Sequence, residues 1–277
     1  MAGYCVSNYI NAKKSFVFYG PPNSGKSIFL RLMNELVGSS NVSNVTLPNL
    51  NDERYLYQLK DKRLNISNEL PSSPMKDLGM FKMLTSGNDT ITFRRMRENP
   101  TSEICRAKLL FGSNHFPVLA LNEDEDIDAF FSRIVILPFL NEKADKEQDK
   151  NLFDKLKTEI DYIFMWALKG LSRFVENGFR FSKCDISDKY LKQYIAKYNP
   201  AKVFIEKHVV FDELARCSST MINNAFCDYC NELSIDVKPS HLTGLSKSLV
   251  QNPDVIKKRL RIGNENVQGY KGIQLKI

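Results

Sequence analysis

Gly20-Pro21-Pro22-Asn23-Ser24-Gly25-Lys26-Ser27 satisfies every fixed position of the phosphate-binding pattern G-x-x-x-x-G-K-[ST]. Each residue type has a physical use there. Gly20 and Gly25 allow a tight backbone turn whose N–H groups can face phosphate oxygens. Lys26 can reach the β- and γ-phosphates, and the Ser27 hydroxyl can ligate Mg²⁺. The expected cofactors are therefore ATP and Mg²⁺.

A phosphate loop needs partners. Glu69 follows the short run Arg63-Leu64-Asn65-Ile66-Ser67, where a carboxylate can serve the metal and the attacking water. Asn114 ends the apolar run Leu109-Leu110-Phe111-Gly112-Ser113. An amide at the carboxyl end of a core strand can touch the γ-phosphate or hold the lytic water. Arg133 sits alone in the apolar stretch Phe130 to Val135. Two readings stand open for it. One is an arginine acting on the nucleotide of a neighbouring subunit. The other is a structural ion pair with Glu123, Asp124, Glu125, Asp126 or Asp128.

Elements must position these groups. Ser15 to Tyr19 reads as a buried strand before the loop, and Ile28 to Val37 as a helix after it, stopped by Gly38. Strand and helix patterns alternate over residues 15–139, which predicts an α/β core with a mainly parallel sheet. Met75 to Thr85 reads as a helix. Thr90 to Met96 alternates like a strand, and Arg97-Glu98-Asn99-Pro100 reads as a hairpin tip. Leu152 to Val175 reads as an amphipathic helix or helix pair, with Leu156, Ile160, Ile163, Phe164, Ala167 and Leu171 on one side. The expected organisation is a core over 1–145, a helical segment over 146–200 and a small module over 201–277. In that module helices at 202–208, 219–233 and 242–249 precede a glycine-turned hairpin, a winged-helix-like order.

Composition bounds the class. With 43% hydrophobic and 26% charged residues the chain can bury an ordinary globular core. No apolar run approaches the roughly 18 residues needed to cross a membrane. The N-terminus lacks a signal-peptide pattern, so a cytoplasmic setting is expected. The net charge of +7 favours a polyanionic partner. Six cysteines in 277 residues suggest no disulfide framework. Cys217, Cys227, Cys230 and His241 could be imagined as a zinc set, although a helix over Asn224 to Cys230 would make the cysteine pair a shared apolar face.

Taken in order, these pieces resemble the superfamily 3 helicases, and within them the helicase half of phage, plasmid and poxvirus primase-helicases. The resemblance is carried by Gly20 to Ser27, Ile66-Ser67-Asn68-Glu69, Lys82 to Arg95, Leu109 to Asn114 and Phe131 to Phe139. It covers about Phe16 to Phe139 well and the C-terminal module loosely. Two departures stand out. Asn68 occupies a place where many relatives have an acid or serine, and Ser86-Gly87-Asn88-Asp89 carries one extra residue.

The resemblance implies an AAA+-like P-loop core in an ATP-dependent DNA helicase that works as a homo-hexameric ring in the cytoplasm of a phage, virus or plasmid host. It assigns DNA contact to Arg94, Arg95 and Arg97 on the hairpin and to Lys108 beside it. Relatives usually carry a helical oligomerisation collar and a primase domain before this point, so the expectation is a fragment or an expressed domain, a homo-hexamer in the full-length protein and a monomer as this fragment. Two rivals remain: a P-loop kinase or small-molecule NTPase, and a DNA-binding initiator or loader that uses ATP as an assembly switch. In the C-terminal module Lys247, Lys257, Lys258, Arg259 and Arg261 are further candidate DNA contacts.

Overall fold

The computed structural model describes residues 1–276 except 71–74, 76, 96, 120–126, 234 and 263–264. The chain divides into two compact units, Met1–Leu191 and Lys192–Ile277.

The first unit runs α1 (Ala2–Val6), β1 (Ser15–Tyr19), α2 (Lys26–Val37), β2 (Val42–Ser43), α3 (Glu53–Leu56) and β3 (Leu64–Ser67). Next come α4 (Gly79–Ser86), β4 (Thr90–Phe93), β5 (Thr101–Ile104), β6 (Lys108–Ser113), α5 (Ile127–Phe131) and β7 (Ile134–Pro138). Helices α6 (Leu152–Thr158), α7 (Ile160–Glu176) and α8 (Asp185–Tyr198) follow, and the unit boundary falls inside α8.

Five strands form one parallel sheet in the order β2-β3-β6-β1-β7. Strands β3 and β6 are buried at every position, as parallel strands covered on both faces must be. Phe16, Phe18, Leu30, Met33, Leu64, Ile66 and Leu110 form the core between sheet and helices. Asn65 is a buried polar exception. Its Oδ1 accepts from Val45 N–H at 2.8 Å and from the Ser43 hydroxyl at 3.0 Å, and its Nδ2 donates to Val45 O at 2.8 Å. The amide thereby ties the short edge strand β2 to β3.

Several elements differ from the sequence expectations. The helix expected from Met75 starts at Gly79, just after a turn in which the Asp77 carboxylate accepts from Gly79 N–H at 2.7 Å. Met75 instead bridges to Leu119, its N–H donating to Val118 O at 2.8 Å. The long amphipathic stretch is two helices that break at Glu159. Ala167 is buried as expected, but Phe164 is 39% exposed, and Tyr162, Met165 and Trp166 are exposed beside it. Helix α1 was not visible in the pattern, yet Ala2, Tyr4 and Cys5 belong to the core.

The second unit holds α9 (Pro200–His208), β8 (Val209–Ser218), α10 (Ser219–Glu232), α11 (Pro239–Val250), β9 (Ile256–Ile262) and β10 (Glu265–Leu275). Its three strands form an antiparallel sheet in the order β8-β10-β9. Phe204, Ile222, Phe226, Leu245, Leu249, Tyr270 and Ile273 make a separate core. Strand β8 escaped the sequence pattern because Phe211 and Leu214 are exposed, which breaks the apolar alternation. Among the described residues, no group of three or more His, Cys, Asp or Glu side chains could hold a metal ion, and Cys217 and Cys230 are core residues. No described helix is long and apolar enough to cross a membrane.

Candidate nucleotide site and nucleic-acid hairpin

The phosphate loop joins the end of β1 to the start of α2. Gly25 adopts φ +92°, a left-handed conformation that favours glycine, and a Cβ there would meet nothing within 4 Å. The loop thus has an open face beside the N-terminus of a 12-residue helix, where backbone N–H groups and the helix dipole favour an anion. Lys26 is buried, and its ammonium donates to Gly20 O at 2.8 Å, Pro21 O at 2.6 Å and Ser24 Oγ at 3.2 Å. Burial holds its pKa below the ordinary lysine value. Ser27 is exposed next to it. These donors fit a Mg²⁺-bound triphosphate.

Strand register brings two more sequence candidates to the same edge. Tyr19 pairs with Ser113, and Gly20 N–H donates to Ser113 O at 3.2 Å, so Asn114 follows directly beside the loop. On the other side of β6, Ser67 pairs with Phe111, and the next residues carry the chain to Glu69. Asn114 and Glu69 are both exposed. Lys26, Ser27, Glu69 and Asn114 therefore share the carboxyl edge of three adjacent parallel strands, the place where open α/β sheets bind ligands.

Sequence reasoning missed what lets these pieces close up. A Cβ on Gly112 would lie 2.8 Å from Asn68 O and 3.0 Å from Leu30 Cδ1, so a side chain would push away both α2 and the segment leading to Glu69. A lone glycine inside an apolar strand was the available signal. The charged loop after β7 also touches the phosphate loop, with Lys143 N–H donating to Asn23 O at 3.3 Å. No local pattern announces that contact.

Arg133 is not part of this cluster. It precedes β7, and its carbonyl accepts from Ser15 N–H at 2.7 Å, at the amino end of β1. Strand β1 therefore separates it from the loop by about 16 Å, at the usual rise per residue. Its side chain turns back on α5, with Nη1 donating to Ala129 O at 2.7 Å and Nε buried without an acceptor among the described residues. Of the acids considered as its partners, Glu123, Asp124, Glu125 and Asp126 lie outside the described residues.

The expected hairpin is present as β4 and β5, paired antiparallel from Thr90–Ile104 to Phe93–Thr101. Ile91 and Phe93 are buried and anchor it, while Thr90 and Thr92 face out. Arg94, Arg95 and Arg97 lie exposed in its turn. Arg94 meets Glu53 at 4.0 Å and Arg95 meets Glu98 at 3.2 Å, with every one of these side chains more than half exposed. Exposed pairs of this kind hold weakly, so a phosphate can displace the carboxylates. Tyr57 lies under Arg95 at 5.9 Å, and Lys60 donates to Thr101 at 2.9 Å. Sequence separation hid both supports.

Lys108, expected to contact DNA, must be corrected. It is buried at the start of β6 and donates to Ser7 O, 5.4 Å from the Tyr4 ring centre, so it is closed to a phosphate backbone. Burial lowers its pKa to about 8. It gains little counter-charge, because burial pushes the Cys5 thiol up to about 12 and Cys105 to about 11. In the unfolded chain Lys108 should titrate near ~10.4. Between those values the unfolded state holds one proton more, so this group makes stability rise with pH from about 8 to ~10.4. Urea unfolding of the wild type and Lys108→Met should therefore diverge in favour of the wild type as pH climbs through that window. A constant difference would show that Lys108 does not titrate in the fold.

Comparison with known proteins comes to the following. Residues 18–133 match DUF5906, a family of unknown function. No curated protein matches the sequence. Among solved structures, the apo structure of the NrS-1 C terminal region (305-718) superposes with TM-score 0.59 at 11% identity, covering 98% of this chain and 70% of that one. A second form of that region gives TM-score 0.53 at 12% identity, covering 95% and 67%. An X-ray structure of JCV Helicase gives TM-score 0.37 at 16% identity, covering 87% and 57%. The chain shares the fold of the NrS-1 C terminal region, and the α/β core with a parallel sheet is the one expected from the sequence.

Proposed function

We propose that this chain is an ATP-driven DNA helicase motor of the superfamily 3 type. One observation carries the reading: β6 connects the two candidate sites. Asn114 follows its carboxyl end beside the phosphate loop. At its amino end only Cys105, Arg106 and Ala107 separate it from the arginine hairpin. Cys105 and Ala107 are buried, so the hairpin base is fixed to the strand. Six residues of strand span about 20 Å. A change in what Asn114 contacts is thus mechanically joined to the hairpin by one rigid element.

The roles follow from position. Lys26 and the loop N–H groups hold the triphosphate, and Ser27 and Glu69 hold Mg²⁺. The metal supplies charge neutralisation on the phosphate oxygens when bound. Glu69 also orients water, and Asn114 reads the γ-phosphate. Arg94, Arg95 and Arg97 grip the backbone of DNA without reading bases. Arg133, remote from its own loop, serves the nucleotide of an adjacent copy, so the working form is a ring, a homo-hexamer by the resemblance. The element order of the second unit supports a winged-helix reading.

ATP turnover measured against protein concentration, with and without single-stranded DNA at low salt, tests this. The motor reading expects turnover per chain to rise steeply with concentration and to rise again with DNA. Turnover that is constant per chain and indifferent to DNA would instead favour a small-molecule NTPase. DNA binding with almost no turnover would favour an initiator or loader.

A further inference from the structure

The arginine hairpin does not stand alone at the amino edge of the sheet. Strands β3 and β6 start level, with Leu64 paired to Lys108, so the turn that leads into β3 lies beside the base of the hairpin that leads into β6. That turn consists of a 3₁₀ segment, Tyr57–Leu59, followed by Lys60-Asp61-Lys62. Lys62 N–H donates to Leu59 O at 3.1 Å, and Asp61 takes φ +59°, a left-handed conformation that Asn and Asp adopt more readily than most side chains. Contacts tie the strip over 53–62 to the hairpin: Arg94 meets Glu53, Arg95 lies over Tyr57, and Lys60 donates to Thr101.

Between this strip and the edge strand β2 is an open cavity of about 420 Å³, lined by Asn44, Tyr57, Gln58, Lys60, Asp61 and Lys62 among others. Small-ligand pockets run to about 300–1,000 Å³, so the space is of ligand size. Its side chains are one aromatic ring, two amides, two ammoniums and a carboxylate. Asn44 Nδ2 donates to Ile66 O at 2.8 Å and Lys62 Nζ donates to Ser40 O at 2.5 Å, which fixes both side chains. Tyr57 and Lys60 belong at once to the cavity and to the hairpin contacts, so an occupant of one adjoins an occupant of the other.

We infer that this cavity takes one unpaired base of the single strand that the hairpin grips. Tyr57 offers a face on which any base can stack. The amides of Asn44 and Gln58 and the Asp61 carboxylate can hydrogen-bond to the edge of an unpaired base. A duplex hides those edges inside its base pairs, so the cavity selects a strand already opened. Two ammoniums against the Asp61 carboxylate leave a local charge of at most +1, since Glu103 also lies 3.7 Å from Lys60. That suits the single charge of a phosphodiester better than a free mononucleotide, whose terminal phosphate is close to doubly charged at neutral pH. The inference rests on the hairpin reading and adds to it a contact with a base, where the arginines hold only the backbone.

Fluorescence anisotropy of the whole chain at constant low salt, without ATP, tests the inference. One probe is a labelled single strand of about 20 nucleotides, longer than the ~4–16 that one single-strand-binding fold covers. The other is an abasic strand of equal length, which keeps the phosphates and lacks the bases. Tyr57→Ala should weaken binding of the base-bearing strand about tenfold, the scale of one lost stack, and leave the abasic strand unchanged. Tyr57→Phe should keep the wild-type affinity, because the ring remains. Equal weakening on both strands would mean that Tyr57 only props Arg95, and would overturn the inference. Unchanged affinity in Tyr57→Ala would overturn it as well. A salt-matched excess of free deoxyadenosine monophosphate that lowers wild-type affinity to the level of Tyr57→Ala would give the cavity to free nucleotides and overturn the assignment to a strand. Arg94→Ala/Arg95→Ala/Arg97→Ala should weaken binding of both strands. If that variant binds both like the wild type, the hairpin reading fails and takes the inference with it, whereas a failure confined to Tyr57→Ala leaves the hairpin standing.

Discussion

On the proposed reading, Lys26→Ala is expected to abolish ATP turnover to within the detection of a phosphate-release assay. The expected loss in kcat is at least about 10²–10³-fold, the scale for removing one charge-stabilising donor from a preorganised site. The fold itself should survive, because among the described residues the ammonium donates to Gly20 O, Pro21 O and Ser24 Oγ, acceptors of its own loop. A melting temperature within a few degrees of the wild type would therefore accompany the lost activity. Turnover near the wild-type rate would remove the phosphate loop from the mechanism altogether.

Arg133→Ala is expected to match or exceed that loss, since an arginine supplied to a transferring phosphoryl group is worth about 10³–10⁵-fold. The more telling measurement mixes the two inactive variants. Arg133 lies at the amino end of β7, and the loop lies past the carboxyl end of β1, so the two cannot meet within one chain. In a mixture, an Arg133→Ala chain offers an intact loop and a Lys26→Ala chain offers the arginine. Activity should reappear on mixing and grow with concentration. A mixture that stays as inactive as its components would mean that Arg133 acts only within its own chain, holding the α5–β7 corner through Ala129.

Local chemistry made the candidate nucleotide site readable. The spacing of Gly20, Gly25, Lys26 and Ser27 is a loop-scale pattern, and the apolar runs before Glu69 and Asn114 marked the strands that end at them. The hairpin was legible too, because Ile91 and Phe93 alternate with threonines and the arginines cluster at a turn. Helix α1 and strand β8 were not. The former is only five residues long, and the latter exposes its large apolar side chains. Lys108 shows the limit most plainly. In the sequence it is one more cation near a basic hairpin; its burial depends on α1 folding across the start of β6, with Ser7 supplying the acceptor.

The sequence by itself determined the α/β class and which residues could take part in phosphate chemistry. These are consequences of residue type and short spacing, which set turns, periodicity and charge. The tertiary structure alone decided who stands next to whom. The strand order inserts β6 between β3 and β1, which puts Asn114 between the phosphate loop and Glu69 and the hairpin at the far end, while the parallel pairing of β7 with β1 puts Arg133 at that end too. Strand order is fixed by how helices and sheet bury their common core, through contacts between residues far apart in the chain, and no local pattern encodes it.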